Sequence, residues 1–240
     1  MNDTYTKALE QALYWITSTY QVVGVVVSGS IIRGNPNSSS DFDIFVIQEN
    51  SFRQRVQKFF NGVPCEIFVN TLEQVYTYFD AELRNNRPVT AHMLATGQLI
   101  KGAENQQLLT LLEAAEHYAS LSPVMTDEQR LFRTYGLATL CEDAADIIAS
   151  DQLTAAYILE KIVADIIEFI FLSRQQPLPR IKERLQRLAM LDETAYQLLR
   201  TYYHALLTKE KFFLVKELVL HVAGKAAFFE WSSSPEPRSV

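Results

Sequence analysis

The chain has 240 residues, of which 48% are hydrophobic and 21% charged, and a formal net charge of -6. That length and composition describe a globular chain with room for one large domain or two modest ones. The acidic balance argues against a polynucleotide partner, which calls for Lys and Arg in excess, and suits small or cationic partners.

Residues 3 to 19 place Leu9, Leu13 and Ile16 on one helical face, with Asp3 or Thr4 as the expected cap. Val22 to Ser28 is a continuous apolar run, which predicts a strand covered on both faces. Gly34 to Ser40 is rich in Gly, Asn, Pro and Ser and predicts a loop. A second strand is expected from Phe42 to Ile47, then a short helix over 51–60 capped by Ser51. Asn61-Gly62 signals a turn, and Val63 to Val69 a third strand. Thr71 caps an expected helix over 72–84. A helical turn over 90–96 ends at Gly97, and Gln98 to Lys101 reads as a short edge strand closed by Gly102.

After residue 103 glycine is confined to Gly136 and Gly224, and helical periodicity takes over. The expected helices are 104–118, 126–150, 152–174, 178–189, 192–207 and 209–230. Breaks fall at Pro123, Ser150-Asp151, Pro177 and Pro179. Residues 232–240 are polar and proline-bearing, which predicts a disordered tail. The expected architecture is an α/β unit with a small mixed sheet over 1–103 and an all-α helical bundle over 104–231. The helix over 104–118 suits either unit.

The chemistry concentrates in the first unit. Alternate residues of a strand share a face, so Asp41 and Asp43 project together while Phe42 and Ile44 turn into a core. Two like charges this close are costly unless a cation lies between them, and hard oxygen donors suit Mg²⁺. Glu66 alternates with Cys65 and Ile67. If its strand neighbours the second one, it joins the aspartates as a metal ligand or as a general base. Gly29 allows close approach of a phosphate to the backbone, and Ser30 adds a hydroxyl donor; Arg33 lies three residues on, one helical turn if a helix starts here, in reach of a phosphate or as a brace for the aspartates.

The run Gly29-Ser30-x-x-Arg33-Gly34 followed by Ser40-Asp41-x-Asp43 resembles the signature of the nucleotidyltransferase superfamily, which shares the DNA polymerase beta palm. It is similar in particular to the bacterial two-domain small-molecule branch that includes the aminoglycoside adenylyltransferases. The resemblance is specific over residues 22 to 47 and extends to about residue 101; the family also pairs this domain with a helical one. It implies two Mg²⁺ ions, ATP or another nucleoside triphosphate as donor, and transfer of a nucleoside monophosphate with release of pyrophosphate. Carried over, Gly29, Ser30, Arg33 and Ser40 hold the donor nucleotide. Asp41, Asp43 and Glu66 are the catalytic, metal-binding acids.

In the second unit, the proline turn before Arg180-Ile181-Lys182 resembles a turn in related transferases whose lysine reaches the triphosphate, which makes Lys182 a further nucleotide-binding candidate. A solvated basic helix bearing Arg180, Lys182, Arg184 and Arg187 is the competing reading. Glu142 and Asp146 share a helical face, and Glu160, Asp165 and Glu168 lie on the next helix. Such acids suit a cationic acceptor, a polyamine or an aminoglycoside, or else a solvated face. Aromatic pairs at Tyr202-Tyr203, Phe212-Phe213 and Phe228-Phe229 suit core or dimer packing, so a homodimer is one expected form.

Cys65 and Cys141 stand far apart and form no Cys-x-x-Cys pair, which argues against a disulfide framework or structural zinc and for a cytoplasmic setting. The first residues lack the order of a secretory signal, and no apolar run reaches the ~20 residues of a membrane helix. Three functions compete. One is adenylylation of a small-molecule hydroxyl; a second is modification of a protein partner, as by minimal antitoxin-like members of the superfamily; a third is nucleotide binding without turnover.

Overall fold

The structure, a computed structural model, describes residues 2–233 and Pro235. The chain divides into two compact units, Met1–Leu121 and Ser122–Val240. Most of the segment expected to be a disordered tail, 232–240, lies outside the described residues.

The first unit is a five-stranded mixed sheet with helices on both faces. Its elements are α1 (Asp3–Thr19), β1 (Val22–Ser28), β2 (Phe42–Gln48), β3 (Gln54–Phe60), β4 (Val63–Asn70), α2 (Leu72–Arg84), α3 (Val89–Thr96), β5 (Gln98–Lys101) and α4 (Gln106–Ser120). The strand order is β3-β4-β2-β1-β5. Only β2 and β4 run parallel, and the other neighbours are antiparallel.

Strand alternation sorts the side chains onto two cores. Val25, Val27, Phe42, Ile44, Val46, Cys65 and Ile67 point to the face covered by α1, which contributes Ala8, Leu9, Ala12 and Ile16 at helical spacing. Val26, Phe45 and Ile47 point to the face covered by Val75, Phe79, Met93, Leu94 and Leu108 of α2, α3 and α4. Fully burying a side chain such as Phe42 or Ile44 stabilises the unit by roughly 1.5–3 kcal/mol.

Helix ends follow their capping chemistry. The cap is Asn2, not Asp3 or Thr4: it accepts the Tyr5 N–H through Oδ1 at 3.0 Å. Thr71 Oγ1 accepts the Gln74 N–H at 3.2 Å, as its sequence position predicts.

One expected helix is a strand. Residues 51–60 are not helical: Ser51 caps nothing, and β3 extends through Gln54–Phe60 as the edge strand. Most of its side chains are exposed, so it shows no apolar alternation for a sequence reading to find. The helix at 104–118 is α4, and it belongs with the first unit: Leu108 lies against Gly24, where an added Cβ would come within 2.2 Å of Leu108 Cδ2.

The second unit consists of α5 (Asp127–Ile147), α6 (Gln152–Ser173), a one-turn 3-10 helix (Ile181–Glu183), α7 (Arg184–Leu191), α8 (Glu193–His204) and α9 (Thr208–Ala223). α6 is the central apolar rod, burying Leu159, Ile162, Val163, Ile166 and Ile170. Thr126 and Gln129 form a reciprocal capping box at the start of α5. The helix expected to run to residue 230 stops at Ala223, because Gly224 takes a left-handed conformation (φ 74°). The helix expected over 178–189 is the 3-10 turn followed by α7, since Pro177 and Pro179 delay its start. Of the aromatic pairs, Tyr202 and Phe212 are buried, while Tyr203 and Phe213 are exposed. Among the described residues no helix is long and apolar enough to cross a membrane.

Candidate metal and nucleotide site

The candidate site begins with strand pairing. Asp43 is the register partner of Glu66 in the parallel β2–β4 pair and of Ser28 in the antiparallel β1–β2 pair. Register partners share a face, so the two acids stand side by side on the α2–α4 face of the sheet. Asp41 immediately precedes β2. One carboxylate oxygen from each of Asp41, Asp43 and Glu66 lies within 4.8 Å of the others, and all three residues are half-buried.

Apolar neighbours hold these acids from below. Phe45 and Phe68, each two residues further along its strand, stack with ring centroids 6.0 Å apart. On the other face, burial pushes the Cys65 thiol up to about 12, assisted by the negative charge of Asp41. Cys65 is thus an inert core thiol, not a soft ligand.

Glu66 is fixed from the neighbouring strand. Arg55 Nε and Nη2 donate to its Oε1 at 2.8 and 2.6 Å, and Gln57 Nε2 donates to the same oxygen at 3.0 Å. The Arg55 guanidinium also lies 4.9 Å from the centroid of the Phe68 ring. Sequence reading missed both residues, because it placed them on a helix. On a strand, Gln57 is the register partner of Glu66 and Arg55 that of Phe68.

The loop between β1 and β2 forms the other wall. Gly29 has φ 102°, and a Cβ there would lie 3.2 Å from the Asp41 carbonyl and 3.3 Å from Asp43 Oδ2. Glycine therefore serves both the backbone conformation and the close approach to an acid. Ser30 and Ser40 share a hydroxyl–hydroxyl hydrogen bond of 2.7 Å, and the Asn37 N–H donates to Ser40 Oγ at 2.8 Å. Ser40 thus ties the loop back to the strand that carries the acids. After Gly29 the backbone closes a single turn and does not start a helix: the Arg33 N–H donates to the Gly29 carbonyl, and the Asn35 N–H to the Ser30 carbonyl. Arg33 is exposed on that turn.

Gly29, Ser30, Ser40, Asp41, Asp43 and Glu66 are therefore gathered at one end of the β1–β2–β4 ribbon. Lys182 belongs to the second unit, exposed on the 3-10 turn Ile181–Glu183. Of the second unit's acids, Glu160 accepts the Tyr202 hydroxyl, Asp165 pairs with Lys161, and Glu168 lies 3.9 Å from Arg184.

Three anionic oxygen donors with no nitrogen or sulfur ligand fit a hard divalent cation such as Mg²⁺. No protein-family model matches the chain, and no curated protein does. In structure it is similar to the crystal structure of a nucleotidyltransferase-like protein from Exiguobacterium sibiricum 255-15. The two are 12% identical, the match covers 90% of this chain and 73% of that one, and the TM-score is 0.54. The α/β part with its five-stranded mixed sheet, followed by helices, is thus a nucleotidyltransferase-like fold.

Proposed function

We propose that the chain is a metal-dependent nucleotidyltransferase that moves AMP, or another nucleoside monophosphate, from a nucleoside triphosphate to a hydroxyl of a small molecule. The observation that carries this reading is the convergence of Asp41, Asp43 and Glu66 beside the Gly29 turn. In the reaction, the acceptor oxygen bonds to the α-phosphorus, the α–β phosphoanhydride bond breaks, and pyrophosphate leaves with its electron pair. The acceptor's proton passes to solvent.

Asp41, Asp43 and Glu66 would hold Mg²⁺, which neutralises charge on the phosphates and lowers the pKa of the attacking hydroxyl. The three donors on Glu66 Oε1 fix the plane of that carboxylate, which suits a positioned ligand better than a proton acceptor. Gly29 leaves room for a phosphate against the backbone, and Ser30 and Ser40 offer hydroxyls to it. Positioning supplies most of the rate in such transfers. The acceptor class put forward first is an aminoglycoside-like amine-bearing polyol, in line with the motif resemblance and the acidic chain.

The test measures pyrophosphate release from Mg-ATP across a panel of hydroxyl acceptors, for wild type and Asp43→Asn. Acceptor-dependent release that the variant loses supports the reading. Absence of release with every acceptor and every nucleotide, or equal release by the variant, sinks it.

A further inference from the structure

The second unit contains a cavity of about 260 Å³. Its walls are aromatic, formed by Tyr135 of α5 and by Phe228, Phe229 and Trp231 from the segment after α9; its charged members are Glu142 and Glu230. The sequence builds this wall by ending a helix early. Gly224 turns the chain after Ala223, and buried Ala226 pins the returning segment to the bundle core. The Phe228 N–H then donates to Glu142 Oε1 at 2.9 Å. Trp231 approaches Tyr135 with ring centroids 5.1 Å apart and meets Phe132 edge-on at 5.5 Å.

Two observations distinguish this cluster from ordinary core packing. The rings are not hidden: Tyr135 is 42% exposed, Phe132 57% and Phe228 81%. A cluster built only to remove apolar area from water would bury such large rings. The acids also lack a counter-charge. Asp165 and Glu168 of α6 each lie beside a cation, whereas among the described residues neither Glu142 nor Glu230 makes an ion pair, and the hydrogen bond that Glu142 accepts comes from a neutral backbone N–H. Aromatic rings attract a cation through their quadrupole, and nearby carboxylates supply its counter-charge. The same pair of carboxylates repels an anion and gives no advantage to a neutral apolar compound.

We propose that this cavity binds the organic ammonium group of a small molecule, held by the rings of Trp231, Tyr135 and Phe228 with Glu142 and Glu230 as counter-charges. The carboxylate triad belongs to the other unit, and the proposal does not depend on nucleotidyl transfer.

Choline and 3,3-dimethylbutan-1-ol, its uncharged isostere, form the test pair. The chain has two tryptophans, so Trp15→Phe leaves Trp231 as the fluorescent reporter. The expected result is a saturable change with choline and binding at least about tenfold weaker for the isostere. Glu230→Gln, which removes a charge but no hydrogen bond of the returning segment, is expected to weaken choline about three- to tenfold. Asp43→Asn is expected to leave choline binding unchanged. Calorimetry on the unmodified chain repeats the comparison without relying on the fold of the Trp15 variant. No saturable response to choline, or equal binding of the isostere, overturns the proposal. So does loss of binding in Asp43→Asn, which would move the cation to the triad.

Discussion

Asp43 and Glu66 are register partners across the one parallel strand pair of the sheet. Two carboxylates in that relationship repel each other in the bare protein, and Asp41 adds a third. Arg55 offsets the charge of Glu66, and a cation at the cluster would relieve the rest of the repulsion.

Asp43→Asn is expected to lower acceptor-dependent pyrophosphate release by at least about a hundredfold. The same change removes one of three clustered like charges, so the metal-free melting temperature should stay level or rise. A coupled pyrophosphate assay and scanning calorimetry on one preparation check both outcomes.

Mg²⁺ or Mn²⁺ is expected to raise the melting temperature of the first unit, and a chelator to reverse the gain. At a hundred times its dissociation constant, an ion bound only by the folded state adds about 2.7 kcal/mol. The Asp41→Asn, Asp43→Asn double variant should show no such shift in a calorimetric titration.

Gly29 and Gly34 make a matched pair for substitution. Both have positive φ, but only at Gly29 would a Cβ press on the acids, while nothing lies within 4 Å at Gly34. Gly34→Ala is expected to cost about 1–2 kcal/mol of stability with activity retained. Gly29→Ala should cost about as much or more and also abolish metal binding, since it crowds Asp43 Oδ2. Urea denaturation and a metal titration separate the two effects.

Asp192 contributes to the acid limb of stability in the second unit. Burial opposes its ionisation, but the Ala195 N–H, the His221 ring and Arg174 outweigh it and hold the carboxyl below the usual aspartate range. A depressed acid stabilises the fold above its ordinary titration range and loses that contribution as pH falls through the depressed value. Asp192→Ala removes this and the cap of α8, and should cost about 1–3 kcal/mol near neutrality. Melting temperatures followed downward from neutral pH should fall less steeply in Asp192→Asn than in wild type.

A fragment ending at residue 103 is expected to be insoluble, and one ending at Leu121 to fold. The shorter piece lacks Leu108 and Leu111, both wholly buried on the sheet face beside Val26 and Phe45. Expression followed by a cooperative melting transition tests the pair.

Much of this site was legible because its signals are local. Buried strands announce themselves as apolar runs, so β1, β2 and β4 stood out, and alternation alone put Asp43 and Glu66 opposite Phe42 and Cys65. Ser40 and Gly29 were legible as motif members, but their geometric roles were not. A hydroxyl pair and a Cβ-free contact arise from tertiary approach. Arg55 and Gln57 were lost with β3, an edge strand whose polar faces carry no periodic mark. The early end of α9 was available in Gly224, yet the apolar residues beyond it continued the helical pattern and masked the stop.

The parallel register of β2 on β4 also acts as a proofreader. Slipping it by one residue would swing Glu66 into the α1 core and Cys65 out to the acids, because side chains alternate with a period of two. Phe42, Ile44, Cys65 and Ile67 therefore reject a one-residue slip before any ligand arrives. The accuracy of the carboxylate cluster is borrowed from greasy residues on the opposite face, and a mutation there can disarm the site without touching it.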